Sequence, residues 1–347
     1  MYHVAVLANL KKNAPKLTED HPDAWADLDS DKTVSALCKT IEEAGHRATF
    51  LEANVTLLDK LRELKPDICF NIAEGHYGDS REAQVPALLE LLRIPYTGSR
   101  VLTQAISLDK VMTKRVWQSF GLRTSPFQAF TRVDEPLNPD LRFPLFVKPA
   151  REGTGMGVTA KSIAENDTEL REQVDLVIRR YRQPALVERF LAGRELTVGI
   201  IGNPPNQYVF PPIELDTREI APDDRGLYTH HVKAHFDEIS YLRPAKLKPG
   251  MLAEVQKLAL DAHNAIESLD VSRVDIRCDE NDTPYLLEIN TLPGMSPGFS
   301  DLAVAADMID MGYSWLVHTI LNLACHRFGL PAPEVVLPKR SEEFQSR

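Results

Sequence analysis

Residues 272–295 read SRVDIRCDENDTPYLLEINTLPGM, two apolar runs divided by a polar turn and closed by Pro293 and Gly294. Such runs around the turn at 280–283 predict a β-hairpin. Side chains alternate faces along a strand, so Glu288 and Asn290 are expected on one face and Leu287 and Ile289 on the other. Antiparallel pairing brings Asp275 beside Glu288, and Arg273, two residues earlier, shares the face of Asp275. Three oxygen-bearing side chains then converge, and oxygen donors of this kind suit a hard cation such as Mg2+. Two plainer readings stay open: a strand end with solvated polar residues before a turn, and a structural Arg273–Asp275 salt bridge.

Working outward, FVKPAREGTGMGV (146–158) has Lys148 leaving an apolar strand, followed by glycines at 153, 155 and 157. Glycines adopt positive φ and let backbone N–H groups approach an anion, so this turn is a candidate phosphate cradle. Its lysine precedes the glycines, unlike a Walker loop, and a flexible hairpin turn is the alternative. ALVERFLAGRELTV (185–198) carries Glu188 and Glu195 on either side of Gly193. Carboxylates in such a hinge can accept hydrogen bonds from an adenine amino group or a ribose, although most surface glutamates do neither.

The 347 residues imply two or three domains. With 40 basic against 50 acidic residues and a net charge of -10, a general nucleic-acid surface is not expected; a local basic cleft for phosphates is compatible. Cys38, Cys69, Cys278 and Cys325 form no CxxC pair and read as buried free thiols of a reducing cytosol. The chain opens on a strand pattern rather than a signal peptide, and no apolar run reaches the length of a membrane helix. Strand, helix, strand, helix, strand from YHVAVLA to DICFNIA implies a parallel sheet with helices on its faces. A second α/β unit follows Ser107, with LDKVMTKRVWQSFG as one helix. Next come RELTVGIIG and QYVFPPIEL as antiparallel strands, a polar loop around Tyr228 to His235, the helix MLAEVQKLALDAHNAIESL, the hairpin, and a last helix, YSWLVHTILNLACHRFG. The stripe 315–325 and the three tryptophans read as core or subunit contact. The tail 331–347, rich in proline and charge, is expected to be disordered. His231 and His235, with His230 adjacent, have the i, i+4 spacing of a helical zinc site, but no helical pattern surrounds them, so a substrate-facing loop is preferred.

SLDK (107–110), FVKPAREGTGMGV, LVERFLAGRELTV, SRVDIRCD and LLEINTLPGM, in this order and preceded by PYTGS, resemble the ATP-grasp superfamily and, within it, the D-alanine:D-alanine ligases, over about residues 68–325. The resemblance implies an α/β (α+β) fold of three domains: an N-terminal Rossmann-like domain (1–98), a central ATP-grasp domain with the glycine-rich loop (99–190), and a C-terminal ATP-grasp domain (191–330).

It implies ATP as cosubstrate with Mg2+, two ions, Mn2+ being an acceptable substitute. Lys110 and Lys148 would hold the phosphates under the loop of Gly153, Thr154, Gly155 and Gly157. Glu188 and the backbone of Arg189 to Leu191 would meet adenine, and Glu195 the ribose. Asp275, Glu288 and Asn290 would ligate Mg2+, Arg273 and Gly294 would stabilise the tetrahedral transition state, and Lys233 would add a phosphate contact. The implied activity is an ATP-dependent carboxylate-amine ligase acting on small amino-acid or peptide substrates in the cytoplasm, as a monomer or homodimer. A non-catalytic ATP-binding module and a kinase that releases an acyl phosphate are the competing readings.

The chain departs from the family pattern at the first substrate. The glycine-rich turn with its ammonium-binding glutamate is replaced by NLKKNAPKLTEDHPDAWADLDSDKTV (9–34), a serine pair by Thr154 and Gly155, and a tyrosine by Ala234; His76 and Glu82 align only approximately.

Overall fold

The apolar run HVAVLA forms β1 (His3–Ala8), and it pairs in parallel with β2 (Arg47–Glu52) and β3 (Ile68–Asn71) in the order β2-β1-β3. The computed structural model describes residues 1–16, 23–216 and 240–338. A strand buried on both faces needs helices on both, and the chain supplies them. On one side lies α1 (Asp31–Glu43), capped by Ser30 Oγ, which accepts the Thr33 N–H at 3.2 Å. It packs Val34, Leu37 and Ile41 against Val4, Val6 and Ala8. The other side is covered by α2 (Leu57–Leu64) and α3 (Gln84–Leu92), through Leu57, Leu61, Val85 and Leu89. The parallel sheet expected from the alternating pattern is present.

A second, antiparallel sheet has the order β4-β7-β5-β6, from β4 (Phe127–Phe130), β5 (Leu145–Pro149), β6 (Ile163–Ala164) and β7 (Ala185–Arg189), and is backed by α6 (Asp167–Tyr181). The third contains β8 (Glu195–Asn203), β9 (Asn206–Val209), β10 (Ile213–Asp216), β11 (Ser240–Leu242), β12 (Val271–Cys278) and β13 (Pro284–Asn290). Its order is β11-β10-β8-β12-β13, with β9 on β8.

Two helices precede β4: α4 (Val101–Leu108) and α5 (Lys110–Ser119). The single helix expected from residue 108 is α5, which Asp109 caps by accepting the Met112 N–H at 3.0 Å, and α4 precedes it as a helix the sequence pattern did not suggest. Trp117 of α5 is fully buried beside α7 (Pro249–Ala265) in the core of the third sheet, its indole N–H donating to the Ala262 carbonyl at 3.2 Å. The Thr103 hydroxyl of α4 donates to the Ile266 carbonyl at 2.9 Å.

The other face of the third sheet carries α8 (Asp301–Met308) and α9 (Gly312–Arg327), which share one core with α1 and the first sheet. The apolar stripe 315–325 is therefore core. QYVFPPIEL, expected as one strand, is two, since Pro211 and Pro212 offer no N–H to the ladder. The expected disorder after 331 does not hold for its described part: Ala332, Val335 and Leu337 pack on that shared core, because these apolar residues interrupt the proline-rich run. Residues 339–347 lie outside the described residues.

Candidate active site

The second and third sheets, with residues that lie beyond the strands of the first, line one cleft of about 560 Å³. The hairpin supplies its floor. β12 and β13 pair Asp275 with Glu288 and Arg273 with Asn290, as the sequence leads one to expect. The alternation, however, breaks at Leu287. The register shifts between Asp275 and Ile276, Ile276 faces Leu286, and Leu287 is left over as a bulge. Leu286 and Ile289 therefore enter the core while Leu287 lines the cleft beside Glu288.

Asp275 accepts from Thr197 Oγ1 at 2.7 Å, from Arg273 Nε at 3.1 Å and Nη2 at 2.8 Å, and from Asn290 Nδ2 at 3.3 Å. Arg273 also reaches Asp301 at 3.4 Å. Burial pushes the Asp275 carboxyl up to about 6, with Arg273 opposing and Glu288 adding. Glu288 goes the other way: burial would raise it, yet Lys110, Lys148 and Arg273 hold it at about 2. Two carboxylates and a carboxamide on paired strands form an oxygen donor set suited to Mg2+ that also binds nucleotide phosphates.

Above this floor, Lys110 Nζ lies 3.2 Å from Glu288 Oε2 and also donates to the Glu152 carbonyl. Lys148 Nζ is 2.8 Å from Glu188 Oε1, and the fully buried Lys114 is 2.8 Å from Glu188 Oε2. Burial opposes ionisation of Glu188, but the two lysines hold it at about 2. Its carboxylate, expected to meet an adenine amino group, is thus engaged from both sides and does not line the cleft. The following backbone is selectively used. Arg189 N–H donates to the Pro126 carbonyl, Phe190 N–H to the Pro144 carbonyl, and the Leu191 carbonyl accepts from Arg277 Nε at 2.7 Å. The Leu191 N–H has no protein acceptor among the described residues. Gly193 is needed where it stands, since a Cβ there would lie 2.4 Å from the Asp279 carbonyl oxygen. That close approach brings Glu195 to the cleft, where Arg277 Nη1 holds its Oε2 at 2.7 Å.

In the loop, Thr154, Gly155 and Gly157 have φ of 54°, 69° and 76°. Gly153, Thr154 and Gly155 line the cleft, whereas Gly157 turns away and would bring a Cβ within 2.6 Å of Pro149 Cγ. Gly294 lines the cleft beside Ser296 and Ser300, whose Oγ accepts the Ser296 N–H at 2.9 Å. Lys233 and Ala234, with His230, His231 and His235, lie outside the described residues.

The end of the cleft under the first sheet is acidic. Asp27, Asp29, Glu74 and Glu82 line it. Burial, then Asp27, pushes Asp29 up to about 7; burial also brings Glu82 to about 7, with Arg81 opposing and Asp27 adding. Burial, Glu82, Asp27 and Asp29 raise Glu74 well above the usual carboxylate range, Arg81 alone opposing. Of these acids the sequence pointed to Glu82, by approximate alignment; Glu74 was missed, and so were Arg81, Lys114, Thr197 and Arg277. Arg277 was within reach, since it shares the strand face of Arg273 and Asp275. So was Lys114, one helical turn after Lys110.

A family model described as the D-ala D-ala ligase C-terminus matches residues 116–322. A D-alanine--D-alanine ligase of Bordetella petrii is 35% identical over 291 residues, covering 83% of this chain and 85% of its own. The Aquifex aeolicus enzyme of that name is 34% identical over 295 residues, covering 84% and 94%. An uncharacterised protein of Sinorhizobium fredii is 32% identical over 309 residues, covering 86% and 88%. Among solved structures, the D-alanine--D-alanine ligase of Bacillus anthracis complexed with ATP shares the fold with a TM-score of 0.72 and 22% identity, over 95% of this chain and 99% of that one. With the model spanning more than half of the chain and relatives above 30% identity along most of it, the chain belongs to the D-alanine--D-alanine ligase family of the ATP-grasp superfamily and is an ATP-dependent ligase.

Proposed function

We propose that this protein joins the carboxyl group of one amino acid to the amine of another, or of a short peptide, through an acyl phosphate. The observation that carries the reading is the pairing of Asp275 with Glu288 in a cleft that also holds Lys110 and a glycine-rich loop. An amine cannot displace oxide from a carboxylate. The carboxylate must first attack the γ-phosphorus of ATP, releasing ADP; the amine then attacks the acyl phosphate and inorganic phosphate leaves. Lys110, Lys148 and the N–H groups of Gly153, Thr154 and Gly155 would grip the phosphates. Glu188 would hold Lys148 in place, the Leu191 N–H and the carbonyls of Arg189 and Phe190 would read adenine, and Glu195 would take the ribose. Asp275, Glu288 and Asn290 would hold Mg2+, two ions, with Mn2+ an acceptable substitute; when bound, these ions neutralise charge on the phosphoryl group in transfer. Arg273 and the N–H of Gly294 would face the developing oxyanion.

The relatives' names favour D-alanine for both substrates. A different first amino acid is favoured by the replaced segment 9–34 and by Asp29, Glu74 and Glu82, which would meet its ammonium group. The four cysteines are free, in keeping with a reducing, cytoplasmic setting, and no helix among the described residues is long and apolar enough to cross a membrane. We assign the domains as 1–98, then 126–190, then 191–330 together with α4 and α5, and leave a homodimer to be tested by sedimentation. The deciding experiment screens phosphate release over D- and L-amino acids, singly and in pairs, with mass spectrometry of products. An amide product from at least one pair is expected. Acyl phosphate or hydroxamate without amide from any pair would turn the assignment to a kinase, and no ADP under any condition would turn it to a non-catalytic module.

A further inference from the structure

The segment that replaces the expected ammonium-binding turn reaches the glycine-rich loop. Asp23 Oδ2 accepts the Gly157 N–H at 2.7 Å and the Tyr181 hydroxyl at 3.0 Å. Four residues on, Asp27 accepts from Arg81 Nη2 at 3.3 Å, and the same nitrogen donates to Glu152 Oε2 at 3.1 Å while Nη1 donates to the Arg151 carbonyl at 3.0 Å. Between these anchors Trp25 sets its ring edge-on to His76 and Tyr77, at 5.2 and 5.8 Å. The loop is thus pinned at both stems: at Arg151 and Glu152 through Arg81, and at Gly157 through Asp23. Gln183 reinforces the first stem, its Oε1 accepting the Arg151 N–H at 2.6 Å and its Nε2 donating to Glu152 Oε1 at 2.7 Å.

The middle of the loop is left open. The N–H groups of Gly153, Thr154 and Gly155 have no protein acceptor among the described residues, and these three residues line the cleft. A run of free N–H groups grips an anion well only if the backbone is already ordered, because fixing a residue costs chain entropy, and most for glycine. This loop carries glycines at 153, 155 and 157, so its own sequence orders it little.

We propose that Asp23 and Arg81 are positioning residues for the phosphate loop, so that the segment after residue 22 sets the loop's grip on ATP. The inference rests on the ATP-binding reading of the cleft. It also gives segment 23–30 a role beyond lining the first-substrate end. A loop freed from its stems should bind nucleotide more weakly and admit water to the acyl phosphate, lowering the amide formed per ADP released.

The test uses the full chain, calorimetric titration with a non-hydrolysable ATP analogue, and the amide-to-ADP ratio. Asp23→Ala is expected to weaken analogue binding about tenfold, the loss of one hydrogen bond to a charged group, and to lower the ratio. Asp23→Asn keeps an oxygen for the Gly157 N–H and is expected to stay within about threefold of wild type. Arg81→Lys should keep the pairing with Glu152 but lose the Arg151 carbonyl, and fall between wild type and Arg81→Met. Should Asp23→Ala fail to fold, Tyr181→Phe, which removes the hydroxyl aiming Asp23, is expected to weaken binding about threefold. Wild-type binding of the analogue, with Asp23→Ala and Tyr181→Phe both within twofold of it in affinity and ratio, would overturn this inference and leave the ligase reading intact. Failure of the wild type to bind any analogue would overturn both.

Discussion

Glu188 carries one negative charge between two lysines, and that ratio decides what Lys148 can offer a phosphate. If Lys148 alone faced Glu188 the pair would be neutral; with Lys114 sharing the carboxylate, net positive charge remains toward the cleft. Lys114→Met leaves a buried carboxylate with half its compensation, so a loss of about 3 kcal/mol in denaturant-measured stability is expected, together with a higher KM for ATP. The double variant Lys114→Met with Glu188→Gln should recover part of the stability; no recovery would mean that Lys114 acts by packing alone. At the floor, Asp275→Asn or Glu288→Gln each removes a charge needed by a divalent cation. ADP release at saturating Mg2+ is expected to fall at least about a hundredfold, some 2.7 kcal/mol of barrier, while far-ultraviolet circular dichroism stays unchanged. Turnover within tenfold of wild type would refute the metal assignment. Lys148→Ala should likewise weaken analogue binding far more than Lys161→Ala, whose side chain is exposed outside the cleft. Most of these residues were legible in the sequence because strand alternation places Arg273, Asp275, Glu288 and Asn290 without knowledge of the fold. The contacts of Glu188 were not legible, since its partner Lys114 comes from a helix more than 70 residues away.

At the scale of elements, the legible parts were those with strong local periodicity. The three parallel strands, α6 and the hairpin each announce themselves by alternation or helical spacing and by capping residues. What escaped was set by tertiary packing: α8 is short, apolar on most sides and buried, and such a helix lacks an amphipathic signature, while α4 is short and buries polar Thr103, Gln104 and Ser107 with Leu102 exposed, against the usual pattern. The bulge at Leu287 was invisible for a related reason, since nothing in PYLLEIN distinguishes an extra residue from a regular one. The loop illustrates the opposite case, where local sequence decides. Gly157 combines a φ of 76° with a Cβ position 2.6 Å from Pro149 Cγ and 3.0 Å from Tyr181 Cζ. Gly157→Ala must either strain the left-handed backbone, at about 1–2 kcal/mol, or displace the loop stem. Analogue binding is therefore expected to weaken about tenfold or more, with the thermal midpoint falling only slightly because the loop lies outside the main cores. An unchanged affinity would show that the stem at Gly157 is free to move without cost to the phosphate site.

Over the whole molecule the cleft is electrically polarised, with lysines at the nucleotide end and carboxylates under the first sheet, and this shapes how stability depends on pH. Asp29 and Glu82, both near 7, together with Glu74 and Asp275, have folded pKa values above their unfolded ones. Each contributes stability that is fully present below about pH 4 and is lost as the pH rises through the folded value. Two groups of opposite sign bound the effect. Glu188 and Glu288, held near 2, withdraw their contribution only as the pH falls below about 4.5. His263, buried and lowered to about 4, destabilises the fold once the pH drops below about 6.5, where the unfolded chain takes up its proton. Between pH 8 and 6 protonation of Asp29, Glu74 and Glu82 favours the fold, and His263, with His46 and His76 lowered less strongly by burial, opposes it; where the carboxylates prevail, stability should increase on acidification, at about 1.4 kcal/mol per pH unit for each net proton gained. Differential scanning calorimetry without ligands is expected to show a thermal midpoint about 3 to 6 °C higher at pH 6 than at pH 8, with a maximum near pH 5 to 6. Asp29→Asn and Glu82→Gln should raise the midpoint at pH 8 and flatten the profile, because the neutral side chains no longer need a proton to be buried. A midpoint that climbs steadily from pH 6 to 8, in wild type and variants alike, would mean that the acidic end of the cleft is ionised and paired in the folded protein.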